Sequence, residues 1–178
     1  AYLRLGRWFS TALRASGGIS NGDTPKRYYL GGNTNRIGSI HVDNSVYDIN
    51  NLYFSQVVTP LRGYDYYELE GTRYAVTNLE LRFPLIDYFL MRYPLRIGLS
   101  SVVGALFMDL GAVWSDEAPF KGASAEGGFH LEGIKSGFGF GARANLGFLV
   151  LRYDVAWRTD YRTVAPHTKH YFSLGADF

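Results

Sequence analysis

Long runs of alternating apolar and polar residues constrain the fold of this chain more than any other feature. Between residues 138 and 146 the even positions are apolar, whereas the odd positions carry Gly, Arg or Asn. Residues 149–158 and 172–178 keep the same period of two. Since successive side chains point to opposite faces in a β-strand, each run predicts a strand with one apolar face. The chain is therefore predicted to be all-β.

Two earlier segments repeat this pattern. In residues 79–85 the odd positions are Leu or Phe, and Glu80 lies on the other face. In residues 102–114 the even positions are apolar or Gly, and Asp109 lies opposite them. The sequence thus predicts six strands, at residues 2–16, 73–86, 96–114, 137–146, 149–158 and 170–178.

A soluble β-sandwich and a transmembrane β-barrel both produce such alternation. The longest continuous apolar run, residues 102–108, falls far short of the ~20 residues of a membrane-spanning helix. Long strands, short turns alternating with long ones, and aromatic residues at strand ends favour the membrane barrel. Arg7 shares the apolar face of the first strand, so we expect it near a membrane interface, where its charge reaches water.

The connections predict a sidedness for this barrel. Residues 145–148 and 87–94 are short, whereas residues 19–70, 115–135 and 160–169 are long and rich in Gly, Asp, Asn and Ser, as outward-facing loops are. Residues 19–70 form the longest connection, and residues 27–30 and 52–59 within it are candidate short strands. Glycines at positions 137, 139 and 141 lie on the polar face, where they leave room for this long loop.

Six strands do not close a barrel, because the outer-membrane barrels known have about eight or more. Closure matters in lipid, since it removes the unpaired backbone groups of the two edge strands. We therefore expect the chain to be the C-terminal part of a longer protein. An alternative is an eight-stranded barrel that includes the two short strands of the long loop.

Four segments resemble, in order, the C-terminal barrel of the BamA/TamA superfamily, the bacterial surface-antigen family of outer-membrane proteins. They are Leu61-Arg62-Gly63-Tyr64, the strand from Asn78 to Leu85, the segment Phe107-Met108-Asp109-Leu110-Gly111-Ala112-Val113-Trp114, and the terminal segment from Phe172 to Phe178. Each motif alone is weakly specific. The four motifs together, in the order of the family and on strands of the right parity, are a strong signal. The resemblance covers nearly the whole chain. The stretch of residues 34–61 is longer than the segment that usually joins the Leu-Gly-Gly and Arg-Gly-Tyr motifs in that family.

The resemblance implies that the long loop folds back into the barrel lumen. Arg62 would pair there with Glu80 and Asp109, which the alternation independently places on the inward face. A guanidinium suits this role because its planar fork binds carboxylates bidentately and stays charged when desolvated. Gly63 would permit the tight turn, and Tyr64 would pack against the barrel wall. The alternative is that Arg62 lies on a solvated loop and that Glu80 merely lines a polar lumen.

The last strand resembles the terminal signal that the assembly machinery of this family recognises. Phe172, Leu174, Gly175 and Phe178 carry this resemblance and would form a weak seam with the first strand of the barrel. Any last barrel strand also needs such apolar residues. The resemblance further implies sixteen strands, so that residues 1–178 would be the C-terminal part of an outer-membrane β-barrel domain, with a lumen or extracellular loop at about 19–70.

Residues for catalysis or for holding a cofactor or metal are not predicted. The chain has no cysteine, its four histidines do not cluster with carboxylates, and it lacks a Gly-x-Ser-x-Gly motif. Its net charge of +2 gives no case for nucleic acid.

The resemblance implies a non-enzymatic protein of the outer membrane of a diderm bacterium. It would insert proteins into this membrane or translocate them across it, through the Arg-Gly-Tyr loop clasp and the lateral seam. Its partners would be outer-membrane lipid, client or secreted proteins and accessory assembly subunits. The alternative is a barrel that anchors or secretes an attached or dedicated partner domain.

Overall fold

The computed structural model describes residues 2–33, 55–58, 60–87, 89–91, 94, 97–99, 101–120, 123–124, 130–131, 133–146, 149–159 and 163–175. Every regular element in these residues is a β-strand. Over the same ranges, no helix is long and apolar enough to cross a membrane. The predicted all-β fold is thus confirmed.

The strands differ widely in length, and the long ones are those that the alternation predicts. They are β1 Tyr2–Leu5, β2 Phe9–Ile19, β3 Arg27–Leu30, β4 Ser55–Val58, β5 Leu69–Gly71, β6 Arg73–Ile86, β7 Phe89–Met91, β8 Ile97–Leu99, β9 Ser101–Trp114, β10 Ala123–Ser124, β11 His130–Leu131, β12 Lys135–Asn145, β13 Val150–Thr159 and β14 Lys169–Gly175.

Seven strands form the main sheet, in the order β1-β2-β6-β9-β12-β13-β14. Every neighbouring pair is antiparallel, so the chain runs up and down across the sheet. β1 and β14 are the edge strands among the described residues. One end of the sheet carries the connections at residues 6–8, 87–100 and 146–149, and we call it the short-turn end. The opposite end carries the connections at residues 20–72, 115–134 and 160–168, and we call it the long-loop end.

The two faces of the main sheet have opposite chemistry. The long loop covers one face, which we call the loop-covered face; there Asp109 is 0% and Asp154 1% exposed. The other, open face presents large apolar side chains: Leu79 is 44%, Leu106 50% and Phe140 51% exposed. A soluble sandwich buries its apolar faces, so this arrangement is the reverse of that alternative.

The long loop contains a small sheet of its own. β3 pairs in parallel with β4 and antiparallel with β5. An apolar cluster joins this sheet to the loop-covered face of the main sheet; its buried members are Tyr28, Leu30, Val58, Leu61, Tyr64 and Val76. A Cβ at Gly111 of β9 would lie 2.8 Å from Leu30 Cδ2, so the loop packs directly on the backbone of the sheet.

Two predicted strands are divided in the structure. Residues 2–16 form a hairpin, β1 and β2, because Gly6 adopts a φ of 82° and the strands pair on either side of residues 6–8. Arg7 lies in this turn, at the short-turn end. Residues 96–114 also divide, since Ile97–Leu99 pairs with Phe89–Met91 and only Ser101–Trp114 belongs to the main sheet.

The two short strands predicted within the long loop are present as β3 and β4. They belong to the small sheet and not to the main one, so the eight-stranded alternative is wrong. The last strand is described only from Lys169 to Gly175. The predicted extension to Phe178 lies outside the described residues.

Candidate functional site

The tip of the long loop lies on the loop-covered face and is fixed there by backbone pairing. Gly32 and Leu61 form an isolated antiparallel bridge, with N–H···O distances of 3.1 and 3.0 Å. Asn78 of β6 donates through Nδ2 to the carbonyl oxygen of Pro60 at 2.8 Å. These contacts hold Arg62 against the loop-covered face of the main sheet.

Arg62 makes a bidentate ion pair with Asp109 of β9. Its Nε lies 2.7 Å from Oδ2, its Nη2 lies 2.8 Å from Oδ1, and its backbone N–H donates to Oδ2 at 3.0 Å. Both residues are fully buried, at 1% and 0% exposure. The guanidinium carbon also lies 3.5 Å from the ring centroid of Phe107, a cation–π contact. Such a pair stabilises the structure only because its geometry satisfies both charges.

A second carboxylate contacts the same guanidinium. Arg62 Nη1 donates to Glu80 Oε1 of β6 at 3.0 Å. The structure therefore brings together the three residues Arg62, Glu80 and Asp109. Burial by itself lowers the pKa of the Arg62 guanidinium, but the charge and hydrogen bonds of Asp109, with the charge of Glu80, raise it above its ordinary value. The guanidinium stays protonated at any physiological pH.

The ion-pair network extends beyond these three residues. Arg143 Nη2 donates to Glu80 Oε1 at 2.7 Å, and Arg82 Nη2 donates to Glu80 Oε2 at 3.0 Å. Asp154 Oδ2 lies 3.7 Å from Arg62 Nη1 and accepts a hydrogen bond from Asn33 at 2.9 Å. The motifs did not identify Arg143, Asp154 or Asn33. For Arg143 and Asp154 the sequence offers one signal, the alternation, which places both residues on the same face as Glu80.

The turn after Arg62 is held by a tyrosine of the last strand. Gly63 has a φ of 97°, which favours glycine. The Tyr171 hydroxyl of β14 accepts a hydrogen bond from the Gly63 N–H at 2.9 Å and donates one to the Tyr64 carbonyl oxygen at 2.7 Å. The Tyr64 ring is buried, and the Arg158 guanidinium lies 4.1 Å from its centroid. Tyr171 was not identified from the sequence.

Glycines on β12 allow the loop tip to approach the sheet. A Cβ at Gly137 would lie 1.8 Å from the carbonyl oxygen of Arg62. A Cβ at Gly141 would lie 1.9 Å from Asp154 Oδ1. The prediction that these glycines leave room for the long loop is therefore confirmed at Gly137.

Ion pairs at the long-loop end tie the loop to the last two strands. Lys169 Nζ lies 2.8 Å from Asp65 Oδ2, and Arg158 pairs with Glu68. These side chains are partly exposed, so each pair contributes at most about 1 kcal/mol. The buried pair at Arg62 is the stronger attachment.

The terminal-strand residues lie away from the loop. Phe172 and Leu174 are 45% and 36% exposed on the open face of β14. Gly175 pairs with Val150 at the short-turn end of the strand. The structure thus places these three residues on the edge strand, and Phe178 lies outside the described residues.

The polar contacts at this site attach the long loop to the main sheet. In the described part of the chain, no group of three or more His, Asp or Glu side chains is arranged to hold a metal ion. The buried charges neutralise one another and join the loop to β6 and β9, while Tyr171 joins it to β14. We refer to Arg62, Gly63, Tyr64, Glu80 and Asp109 as the loop clasp.

We expect Tyr171→Phe to destabilise the protein by about 1–3 kcal/mol, because the Gly63 N–H and the Tyr64 carbonyl group lose a buried partner. Denaturant unfolding of the full-length protein in detergent measures this change. Tyr2→Phe is the matched control, since Tyr2 is 80% exposed and we expect no change there. Equal stability of both variants would show that the hydroxyl of Tyr171 does not hold the turn.

Comparison with protein families gives a match over nearly the whole chain. The model of the Omp85 superfamily domain matches residues 2–178. This match confirms the resemblance to the BamA/TamA superfamily that the sequence motifs indicate. No curated protein and no solved structure matches the chain.

Proposed function

Because this chain belongs to the Omp85 superfamily, whose general work is to insert proteins into the outer membrane or translocate them across it, we propose that it does so in a diderm bacterium. The observation that carries this proposal is the docked loop, in which Arg62 binds Asp109 and Glu80 on the loop-covered face. The role is that of a membrane-assembly or transport protein and not of an enzyme.

The exposed apolar face supports a place in the membrane. Leu106, Phe140 and Phe172 are about half exposed on the open face, where they would contact lipid. The described sheet leaves one side of β1 and of β14 unpaired, and unpaired backbone groups are not tolerated in lipid. We therefore propose that other strands complete the barrel. The number sixteen, with residues 1–178 as the C-terminal part, is what the resemblance to the family implies.

The loop clasp keeps this part of the barrel in shape. It joins a loop that begins after β2 to β6 and β9 by buried ion pairs, and to β14 by the Tyr171 hydrogen bonds. The lumen side of these three strands thus depends on one loop. Loss of the clasp would leave the edge strand β14 joined to the loop chiefly by the partly exposed pair between Lys169 and Asp65.

The edge strand β14 is the proposed seam. It pairs with β13 over residues 169–175, and no other described strand pairs with its second edge. Gly175 weakens pairing because glycine contributes no side-chain packing and adopts many conformations when unpaired. A strand of a client protein would add to this edge by β-augmentation. The partners in this proposal are outer-membrane lipid, client or secreted proteins and accessory assembly subunits.

Cysteine cross-linking tests the seam directly. Residues 1–178 contain no cysteine, so Leu174→Cys places a single thiol on β14. Full-length protein in liposomes would be mixed with a β-barrel client that has a cysteine in its terminal strand. With a mild thiol oxidant added to the mixture, we expect a disulfide that forms only while the client inserts. Ala15→Cys on the open face of β2, away from the seam, is the control and should not cross-link.

Two other results would change the proposal. Translocation of a dedicated polypeptide without any cross-linked client would favour the alternative, a barrel that secretes or anchors one partner. If neither client insertion nor translocation requires the protein, the proposal is wrong.

A further inference from the structure

A cleft at the short-turn end of the sheet has a strongly basic lining. It encloses about 420 Å³ and is lined by four arginines, Arg4, Arg7, Arg82 and Arg143. No Asp or Glu occurs among the described residues that line it. Arg82 and Arg143 share one carboxylate, that of Glu80, and the cleft therefore keeps an excess of positive charge.

A second cleft continues this surface across the loop-covered face. It encloses about 410 Å³ and shares Arg82 and Arg143 with the first cleft, and its lining adds Arg14 and Arg152. Arg62 also lines it but is already paired with Asp109. The acidic residues in the lining are Glu80 and Asp154. Among the described residues that line the two clefts, six arginines other than Arg62 thus stand beside two carboxylates.

The strand register places two of these arginines directly opposite each other. Arg143 of β12 and Arg152 of β13 are Cα partners, and like charges in such positions destabilise a strand pair. Arg143 is 7% exposed, and its Nη1 is buried without a hydrogen-bond partner among the described residues. Glu80 occupies only the Nη2 of this guanidinium. A buried donor without a partner is costly unless a ligand satisfies it.

We propose that these two clefts form one binding surface for an acidic, extended polypeptide segment. The surface runs along several strands, so it matches a chain with repeated carboxylates better than a single small anion. The second cleft lies on the loop-covered face, beside Arg62 and Glu80, which argues against a lipid headgroup as its occupant. Each guanidinium offers a planar fork that binds a carboxylate bidentately. This inference deepens the proposed function, because such a segment would belong to the client or secreted protein.

Peptide binding to the full-length protein in nanodiscs tests the surface. The probe is a fluorescent twelve-residue peptide of alternating Glu and Ser, and its Gln counterpart is the uncharged control. The test variant is Arg4→Gln/Arg7→Gln/Arg14→Gln, which changes exposed arginines outside the loop clasp. We expect it to bind the Glu peptide roughly tenfold more weakly and with a smaller salt dependence.

A second triple variant controls for total charge. Lys26→Gln/Arg27→Gln/Arg73→Gln removes the same number of positive charges at the long-loop end, and we expect wild-type affinity. Equal affinity in wild type and both variants would overturn the proposal, as would equal binding of the Gln peptide. A client that still cross-links to β14 while peptide binding fails would leave the proposed function standing without this surface.

Two further measurements identify other occupants. The chain carries Asp43 and Asp48 in the sequence that follows Asn33. If Asp43→Asn/Asp48→Asn binds the peptide more tightly than wild type, the chain's own carboxylates compete for the clefts, and a dedicated site for another polypeptide is excluded. If the triple arginine variant loses bound anionic lipid but keeps its peptide affinity, the surface is a lipid site and the proposal is overturned.

Discussion

Arg62→Ala is expected to lower the free energy of unfolding by about 3–5 kcal/mol, one of the two largest effects predicted for this chain. The substitution leaves Asp109, which is 0% exposed, as a buried carboxylate without its guanidinium partner. It also removes the hydrogen bond to Glu80. Denaturant unfolding of the full-length protein in detergent measures the loss. Client insertion in liposomes should fall with it.

Two comparisons separate the buried pair from a general effect of charge. Arg158→Ala removes a partly exposed arginine that contacts the same loop, and we expect at most about 1 kcal/mol. Adding Asp109→Asn to Arg62→Ala should restore part of the stability, because it removes the unpaired charge. An Arg62→Ala variant that is as stable as wild type would show that the loop is solvated and that the clasp does not exist.

Gly137→Ala is expected to be nearly as damaging, by about 3 kcal/mol, although it adds a single carbon. Its Cβ would lie 1.8 Å from the carbonyl oxygen of Arg62, and a backbone atom cannot rotate away as a side chain can. The loop tip must therefore leave the sheet. The labelling site is Leu61→Cys, at a position that is 0% exposed. This cysteine should react slowly with a maleimide in the protein that keeps Gly137, and rapidly in the protein that also carries Gly137→Ala.

Gly17→Ala is the matched strand glycine. A Cβ there would lie 3.3 Å from the Tyr74 carbonyl oxygen, which requires only a small adjustment. We expect its labelling rate at Leu61→Cys to stay near that of the parent. If Gly137→Ala also labels slowly, the loop tolerates the extra atom and does not rest on this strand as tightly as described.

The sequence was sufficient to predict which residues share a face. The period of two put Glu80 and Asp109 opposite the apolar residues, and the family motif pointed to Arg62; the structure brings all three together. The same parity also holds for Arg143 and Asp154. Their contacts depend on the register between β12 and β13 and on the path of the loop, which alternation does not encode. For this reason their place in the network was not predicted.

Alternation also failed at the first strand. Residues 2–16 keep their parity through the turn, because Leu5 pairs with Phe9 across a three-residue connection and both remain on one face. Only Gly6, with its φ of 82°, marks the reversal. A single glycine is a weak turn signal, so a hairpin and a continuous strand give the same pattern. Tyr171 was missed for a different reason, since an inward-facing tyrosine has no partner until the loop is placed.

The distances along the chain between the clasp contacts imply an order of events during folding. Arg62 and Asp109 are 47 residues apart, and Gly63 and Tyr171 are 108 apart. Hairpins such as β12–β13 join neighbouring residues and form early, whereas contacts across long separations form late. The loop therefore has no complete binding surface until the last strand has joined the sheet. Its docking would mark the moment at which this part of the protein has been assembled correctly, and a chain truncated before Tyr171 would keep the loop only partly attached.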